Sequence, residues 1–186
     1  MVELLASLSA AAAGGLRVAL PLLLIGLLQG NQLWSQVPLL SHIPPPVVLG
    51  VLVSWSLFEL IGSKNLLGQR VLQIVQLVLS PVVGAIMGLA VAQATAQPLW
   101  LVGLLGGVLA LVLQVVVAGW FFRMRGLPLW AVFIQDVLCV SLVFFALDAP
   151  RQGGLIALLL LWLALRSTNE WRRWQRRAGR GKRPPD

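Results

Sequence analysis

Three ionisable side chains interrupt long apolar stretches of this chain: Arg17, Glu59 and Asp136. In lipid, a charge at the centre of a helix costs about 2.5 to 3.5 kcal/mol, so such residues normally face the bundle interior and find partners. Asp136 has no basic residue one helical turn away, whereas Arg17 and Glu59 are placed to pair. These residues predict either an ion, proton or substrate site, or a structural ion pair beside a protonated aspartic acid.

A stripe of polar and small residues follows one face of the third apolar stretch, because its members are three or four positions apart. Two of them, Gly84 and Gly88, form a GxxxG step that suits close helix approach. The stripe predicts helix packing with interhelical hydrogen bonds, or the wall of a polar path that opens to the cytoplasm. Gln114 would join either arrangement. The stripe consists of Gln69, Gln73, Gln76, Ser80, Gly84 and Gly88.

Residues for other chemistry are scarce. The chain has one cysteine, Cys139, and one histidine, His42, which argues against a disulfide framework and against a Cys- or His-based metal site. It shows no nucleophile–base pair, no glycine-rich phosphate loop and no metal-ligand cluster. We therefore predict a protein that is not an enzyme and that has no cofactor and no metal.

The composition points to lipid as the solvent. Hydrophobic residues make up 59% of the 186 residues and charged residues only 11%, against about 25% charged residues in a soluble domain. A helical span needs about 20 apolar residues, which leaves room for about six spans. The predicted fold is an all-α polytopic transmembrane helical bundle, with a transmembrane domain over residues 1–166 and a basic cytoplasmic tail over residues 167–186.

Hydropathy and turn residues divide the bundle into spans. The segment before the first span begins with Glu3 and lacks a basic region, so we expect an interfacial or span-extending helix rather than a cleaved signal. The sixth span is short, and its helix is expected to continue to Trp171. The predicted spans are 15–29, 47–62, 69–92, 99–122, 129–147 and 154–165.

The basic residues alternate between connections. Lys64 and Arg70 flank the second turn, Arg123 and Arg125 lie in the fourth, and eight Lys and Arg residues follow the sixth span, whereas the first and third connections have none. This is the positive-inside pattern for six spans with both termini in the cytoplasm. The expected location is a bacterial inner membrane or a thylakoid membrane.

Six spans divide into three plus three, and an odd number in each half would make any repeat an inverted one, as in many transporters. Glycine pairs open the first span and lie in the fourth, and Glu59 in the second span parallels Asp136 in the fifth. Chance likeness is the competing explanation. A true repeat would make Glu59 and Asp136 symmetry mates that face one central site.

The basic tail suggests partners. Its Arg and Trp residues suit anionic lipid headgroups, at about 1 kcal/mol for each basic residue near the surface. Docking to an acidic membrane-protein partner and homo-oligomer formation are the other options, and nucleic-acid binding is not expected.

Several segments resemble a bacterial membrane family, domain of unknown function 4126. The resemblance rests on residues 15–21 (GLRVALP), 58–64 (FELIGSK) and 80–85 (SPVVGA) and on the pair Gln135 and Asp136. The first two segments are similar to the cyanobacterial branch. Ser63 and Gln135 stand where the family often has acidic residues, which weakens a metal-binding interpretation. The resemblance implies an architecture and supplies no activity.

Two functions are therefore predicted, and a third is kept open. The first is a small secondary transporter or channel for an ion or small solute, with Glu59 and Asp136 as polar centre, Arg17 as counter-charge, and Gln73, Gln76 and Ser80 in the pathway wall. The second is a non-catalytic scaffold or assembly factor of a membrane complex, photosynthetic if the branch holds. The third is a lipid-handling protein.

Overall fold

The computed structural model describes residues 2–29, 44–62, 66–91, 99–124 and 128–180. Within these ranges every regular element is an α-helix, which confirms the all-α prediction. The predicted loop with His42, the turns at 63–65 and 93–98, and the basic side chains beyond Ser167 lie outside the described part. The helices are α1 (Val2–Leu16), α2 (Ala19–Gln29), α3 (Pro45–Gly62), α4 (Leu66–Val91), α5 (Leu99–Met124), α6 (Leu129–Asp148) and α7 (Pro150–Arg180).

Helix α1 lies at the centre of the bundle and contacts α4, α5, α6 and α7. Its four consecutive alanines, from Ala10 to Ala13, are fully buried. Small side chains let helix backbones approach closely, so that van der Waals packing holds the helices together. The expected helix before the first span does occur, but it is buried and ends at Leu16, so the span predicted from Gly15 is divided between α1 and α2.

The direction of α1 follows from its contacts with α6. Ser9 donates a hydrogen bond of 2.8 Å to the carbonyl oxygen of Leu142, and the Cys139 thiol lies 3.5 Å from the carbonyl oxygen of Ala13. Residue numbers thus rise along α1 as they fall along α6, and the two helices are antiparallel. A Cβ atom built on Gly154 would collide with Leu5, so α1 begins at the end of the bundle where α7 begins.

Helices α4 and α5 pack backbone to backbone through glycines. A Cβ atom on Gly84 would lie 2.7 Å from the carbonyl oxygen of Gly106, and one on Gly107 would lie 2.8 Å from that of Pro81. Such distances exclude any larger side chain at these positions unless the helices separate. Gly84 of the GxxxG step therefore lies in a close helix contact, whereas a Cβ atom on Gly88 would lie 3.4 Å from the carbonyl oxygen of Val102.

The outer surface of the bundle is apolar. Phe133, Val78 and Leu155 each expose more than 60% of their surface, and many other large hydrophobic residues are exposed around them. A monomeric soluble protein rarely shows apolar patches of this extent. Among the described residues, three helical segments are long and apolar enough to cross a membrane: Gly68–Val91, Trp100–Arg123 and Trp130–Asp148.

The other apolar helices are shorter, at Val2–Leu16, Ala19–Leu28 and Pro46–Glu59. Three of the six predicted spans thus have helices of sufficient length and apolar composition in the described structure. The full set of six spans and the inverted repeat stay predictions. The predicted extension of the sixth span does occur, because α7 continues without a break to Arg180.

Candidate functional site: a buried charge cluster at a helix break

Arg17 occupies a break in the helical chain, between the end of α1 and the start of α2. Its backbone N–H still donates to the carbonyl oxygen of Ala13, at 3.1 Å, and helical geometry is lost after it. Pro21 explains the break. A proline has no N–H for the carbonyl four positions earlier, which is that of Arg17, and its ring collides with that carbonyl.

The side chain of Arg17 joins two helices that are distant in sequence. Its Nε atom donates to Oδ1 of Asp136 on α6 at 2.6 Å. One terminal nitrogen of the same guanidinium lies 3.9 Å from Oε2 of Glu59 on α3. The two carboxylates therefore share one arginine. Asp136 has no basic residue nearby on its own helix, and Arg17 is its partner.

Glu59 is held by further donors. The indole N–H of Trp55, one turn earlier on α3, donates to its Oε1 at 2.9 Å, and the amide of Gln76 on α4 donates to the same atom at 3.1 Å. Glu59 is only 4% exposed. A buried carboxylate that receives several donors can stay ionised where an isolated one could not.

Glutamines extend the cluster to α5. The Nε2 atom of Gln114 lies 3.3 Å from Oε1 of Gln73 and 3.4 Å from Oε1 of Gln76, so one amide bridges two. All three side chains are at least nine-tenths buried. The cluster therefore forms one polar network that crosses the bundle. A complete network of this kind contributes more stability than the sum of its separate hydrogen bonds.

Helix α6 also binds the end of α1. Gln135 donates a short hydrogen bond to the carbonyl oxygen of Leu16, and the Cys139 thiol approaches that of Ala13. The carbonyl of Leu16 ends α1 and has no helical N–H donor, whereas that of Ala13 already accepts the N–H of Arg17. The negative end of a helix dipole favours a cation, and Arg17 follows immediately.

Comparison with known proteins gives one match. A sequence model of the family described as domain of unknown function 4126 matches residues 4–170. The chain belongs to the DUF4126 family. Neither a curated protein nor a solved structure matches it. The predicted family is confirmed, and the cyanobacterial branch stays a prediction.

The matched region of this DUF4126 protein includes the whole charge cluster, from Arg17 to Asp136. A cavity of about 20 Å³ lies beside the arginine, bounded by Gln69, Gln73, Gln76 and Gln135 with apolar neighbours. A polar space of this volume holds one water molecule. No group of three His, Cys, Asp or Glu side chains that could hold a metal ion occurs in the part of the chain that is described.

The polar stripe of α4 divides into three parts in this DUF4126 protein. Gln73 and Gln76 enter the charge cluster, whereas Gly84 and Gly88 face the backbone of α5. Ser80 lies between them and is fully buried, and its hydroxyl has no hydrogen-bond partner among the described residues. The stripe thus makes interhelical hydrogen bonds at one turn and close helix packing at another, and the polar path stays a prediction.

Sequence reasoning gave no role to several residues that complete the site. Trp55 had no assigned role, although its spacing of four from Glu59 places the two on one helix face. Gln135 entered through the family resemblance alone. Pro21 had no assigned role, although a proline four positions after an arginine is a visible signal for a free carbonyl at that arginine.

Proposed function

We propose that this protein is a small integral membrane transporter for a proton or a small monovalent cation, with Arg17, Glu59 and Asp136 as its ion-coupled site. The observation behind the proposal is the shared arginine. One cation faces two carboxylates, so the cluster has one excess negative charge whenever both carboxylates are ionised. A proton or a bound cation is the simplest species that removes this excess.

The position of the cluster supports transport. Broken helices near the middle of a membrane bundle supply free backbone groups at the binding sites of many transporters, and Arg17 lies at such a break. Asp136 is the more accessible carboxylate, with 24% of its side chain exposed against 5% for Glu59. In the proposed cycle a proton or cation reaches Asp136, weakens its bond to Arg17, and the guanidinium moves toward Glu59.

The proposed topology follows from helix directions and basic residues. Val2 lies at the end of the bundle where α7 begins, Arg123 lies in the last turn of α5, and Arg166 lies just past the middle of α7. Basic residues favour the cytoplasmic side. We therefore propose that the start of α1 lies on the opposite side from the tail, as an alternative to the prediction of two cytoplasmic termini.

Flux in liposomes tests the proposal. Purified protein is reconstituted with a pH-sensitive dye or a Na⁺- or K⁺-sensitive dye inside, and an ion gradient is imposed. Wild type should exceed empty liposomes, and Asp136→Asn should lower the flux at least tenfold. Asp148→Asn is the matched control on the same helix, because Asp148 is exposed. Wild-type flux equal to that of empty liposomes for every cation tried would refute transport.

A second candidate function is a non-catalytic scaffold. The specific observation in its favour is the small volume beside Arg17, which has room for one water and for no larger solute. A scaffold would use the charge cluster only to fix helix positions. Co-purification of a stoichiometric membrane partner from mild detergent, together with absent flux, would favour the scaffold over the transporter.

A further inference from the structure

A second cavity opens on the surface of the bundle, between α5 and α7, and is independent of the proposed ion site. Its volume is about 490 Å³, within the range of about 300 to 1,000 Å³ that small-molecule sites occupy. Val115, Gly119, Trp120, Arg123 and Ser167 line it. Along α5 the groove spans about 12 Å, at 1.5 Å per residue from residue 115 to residue 123.

The groove has an apolar part and a polar end. Valines and Phe122 line its length, whereas Arg123 and Ser167 stand at the end toward the last turn of α5. The indole N–H of Trp120 donates to the hydroxyl of Ser167 at 3.3 Å, which ties α5 to α7 at the polar end. A ligand that fits this division has an apolar chain and a polar head.

Gly119 keeps the groove open. A Cβ atom built there would meet nothing within 4 Å, unlike the glycines between α4 and α5. Helix packing therefore gives no reason for a glycine at this position, although glycine is unfavourable inside a helix. The empty space above Gly119 is continuous with the groove, and a larger side chain would fill it.

The basic residues at the polar end of the groove indicate which kind of head group a ligand would have. Arg123 is exposed and makes no ion pair with any residue in the described ranges, and Arg166 precedes Ser167 on the facing helix. Basic residues at this depth attract anionic lipids, and arginine binds phosphate oxygens with two parallel hydrogen bonds. We propose that the groove binds one acyl chain of an anionic glycerophospholipid, whose phosphate contacts Arg123.

Lipid binding to the full-length protein tests this site. Delipidated protein in detergent is titrated with phosphatidylglycerol and, separately, with phosphatidylcholine of the same acyl chains, and bound lipid is counted by native mass spectrometry. Wild type should bind phosphatidylglycerol at least fivefold more tightly than phosphatidylcholine. Arg123→Gln should reduce that preference to less than twofold, whereas Arg151→Gln, an exposed arginine at the other end of α7, should keep it.

A second experiment fills the groove with a larger side chain. Gly119→Leu should lower the affinity for both lipids at least fivefold, and the matched control Gly50→Leu should not, because a Cβ atom at Gly50 also meets nothing within 4 Å. If Gly119→Leu does not fold, Gly119→Val replaces it. Wild-type binding by the Gly119 variant, or an undiminished phosphatidylglycerol preference in Arg123→Gln, would overturn the proposal.

Discussion

The Nε atom of Arg17 lies 2.6 Å from Oδ1 of Asp136, although 119 positions of sequence separate the two residues. This contact fixes the break between α1 and α2 against the middle of α6. Gln135 and Cys139, next to Asp136 on the same helix, bind carbonyls of the last turn of α1. One segment of α6 thus contacts both the end of α1 and the arginine that follows it.

Asp136→Asn should destabilise the protein. Removing one partner of a buried ion pair costs about 3 to 5 kcal/mol, because the other charge is left without compensation. The cost should be lower here, about 1 to 3 kcal/mol, because Arg17 keeps Glu59 at 3.9 Å and loses only its hydrogen bond to the partly exposed Asp136. Thermal unfolding in detergent measures the loss. Asp148→Asn should stay within about 0.5 kcal/mol of wild type, as exposed substitutions do. Equal melting of both variants would contradict the ion pair.

Combining Arg17→Gln with Asp136→Asn should cost less than the sum of the two single changes. Arg17→Gln leaves two carboxylates without a cation, and adding Asp136→Asn removes one of them, so the double variant leaves only Glu59, which keeps its donors Trp55 and Gln76. Residues in direct contact show coupling energies of about 0.5 to 3 kcal/mol in such cycles. The free energies of unfolding of the four proteins give the coupling, and strict additivity would show that the contact contributes nothing.

The sequence identified the charged residues and could not identify their pairing. Arg17, Glu59 and Asp136 stand out because lipid penalises charge, and that penalty acts on each residue alone. Their pairing depends on how α3 and α6 pack around α1, which no local spacing encodes. The role of α1 was also hidden, because its 15 residues are shorter than the roughly 20 that a span needs.

Glycines at the contact of α4 and α5 should tolerate substitution far less than glycines with empty space around them. Gly84→Ala should cost about 1 to 3 kcal/mol, because the new methyl group meets Ala110 and the backbone of Gly106. Gly50→Ala should be neutral or stabilising by up to about 1 kcal/mol, since alanine favours the helix and the space around Gly50 is open. Unfolding midpoints in detergent compare the two. A neutral Gly84 variant would argue against this packing.

Pro21→Ala should restore a hydrogen bond to the carbonyl of Arg17 and make the chain from α1 to α2 more continuous. The guanidinium would then turn away from Asp136, so ion flux should fall several-fold while the helix content measured by circular dichroism stays the same or rises. Pro81→Ala is the matched control, because Pro81 lies inside the unbroken helix α4. Full flux in the Pro21 variant would show that the break has no part in transport.

Cysteine labelling should place Val2 and Arg123 on opposite sides of the membrane. Cys139 is the single native cysteine and is buried, so Cys139→Ala provides the background. In right-side-out vesicles an impermeant maleimide should label Val2→Cys and Gln152→Cys at similar rates, because α1 and α7 begin at the same end of the bundle. Arg123→Cys should react only after the vesicles are opened, since α5 ends at the other side. Labelling of both Val2→Cys and Arg123→Cys only in opened vesicles would support two cytoplasmic ends and contradict the direction of α1.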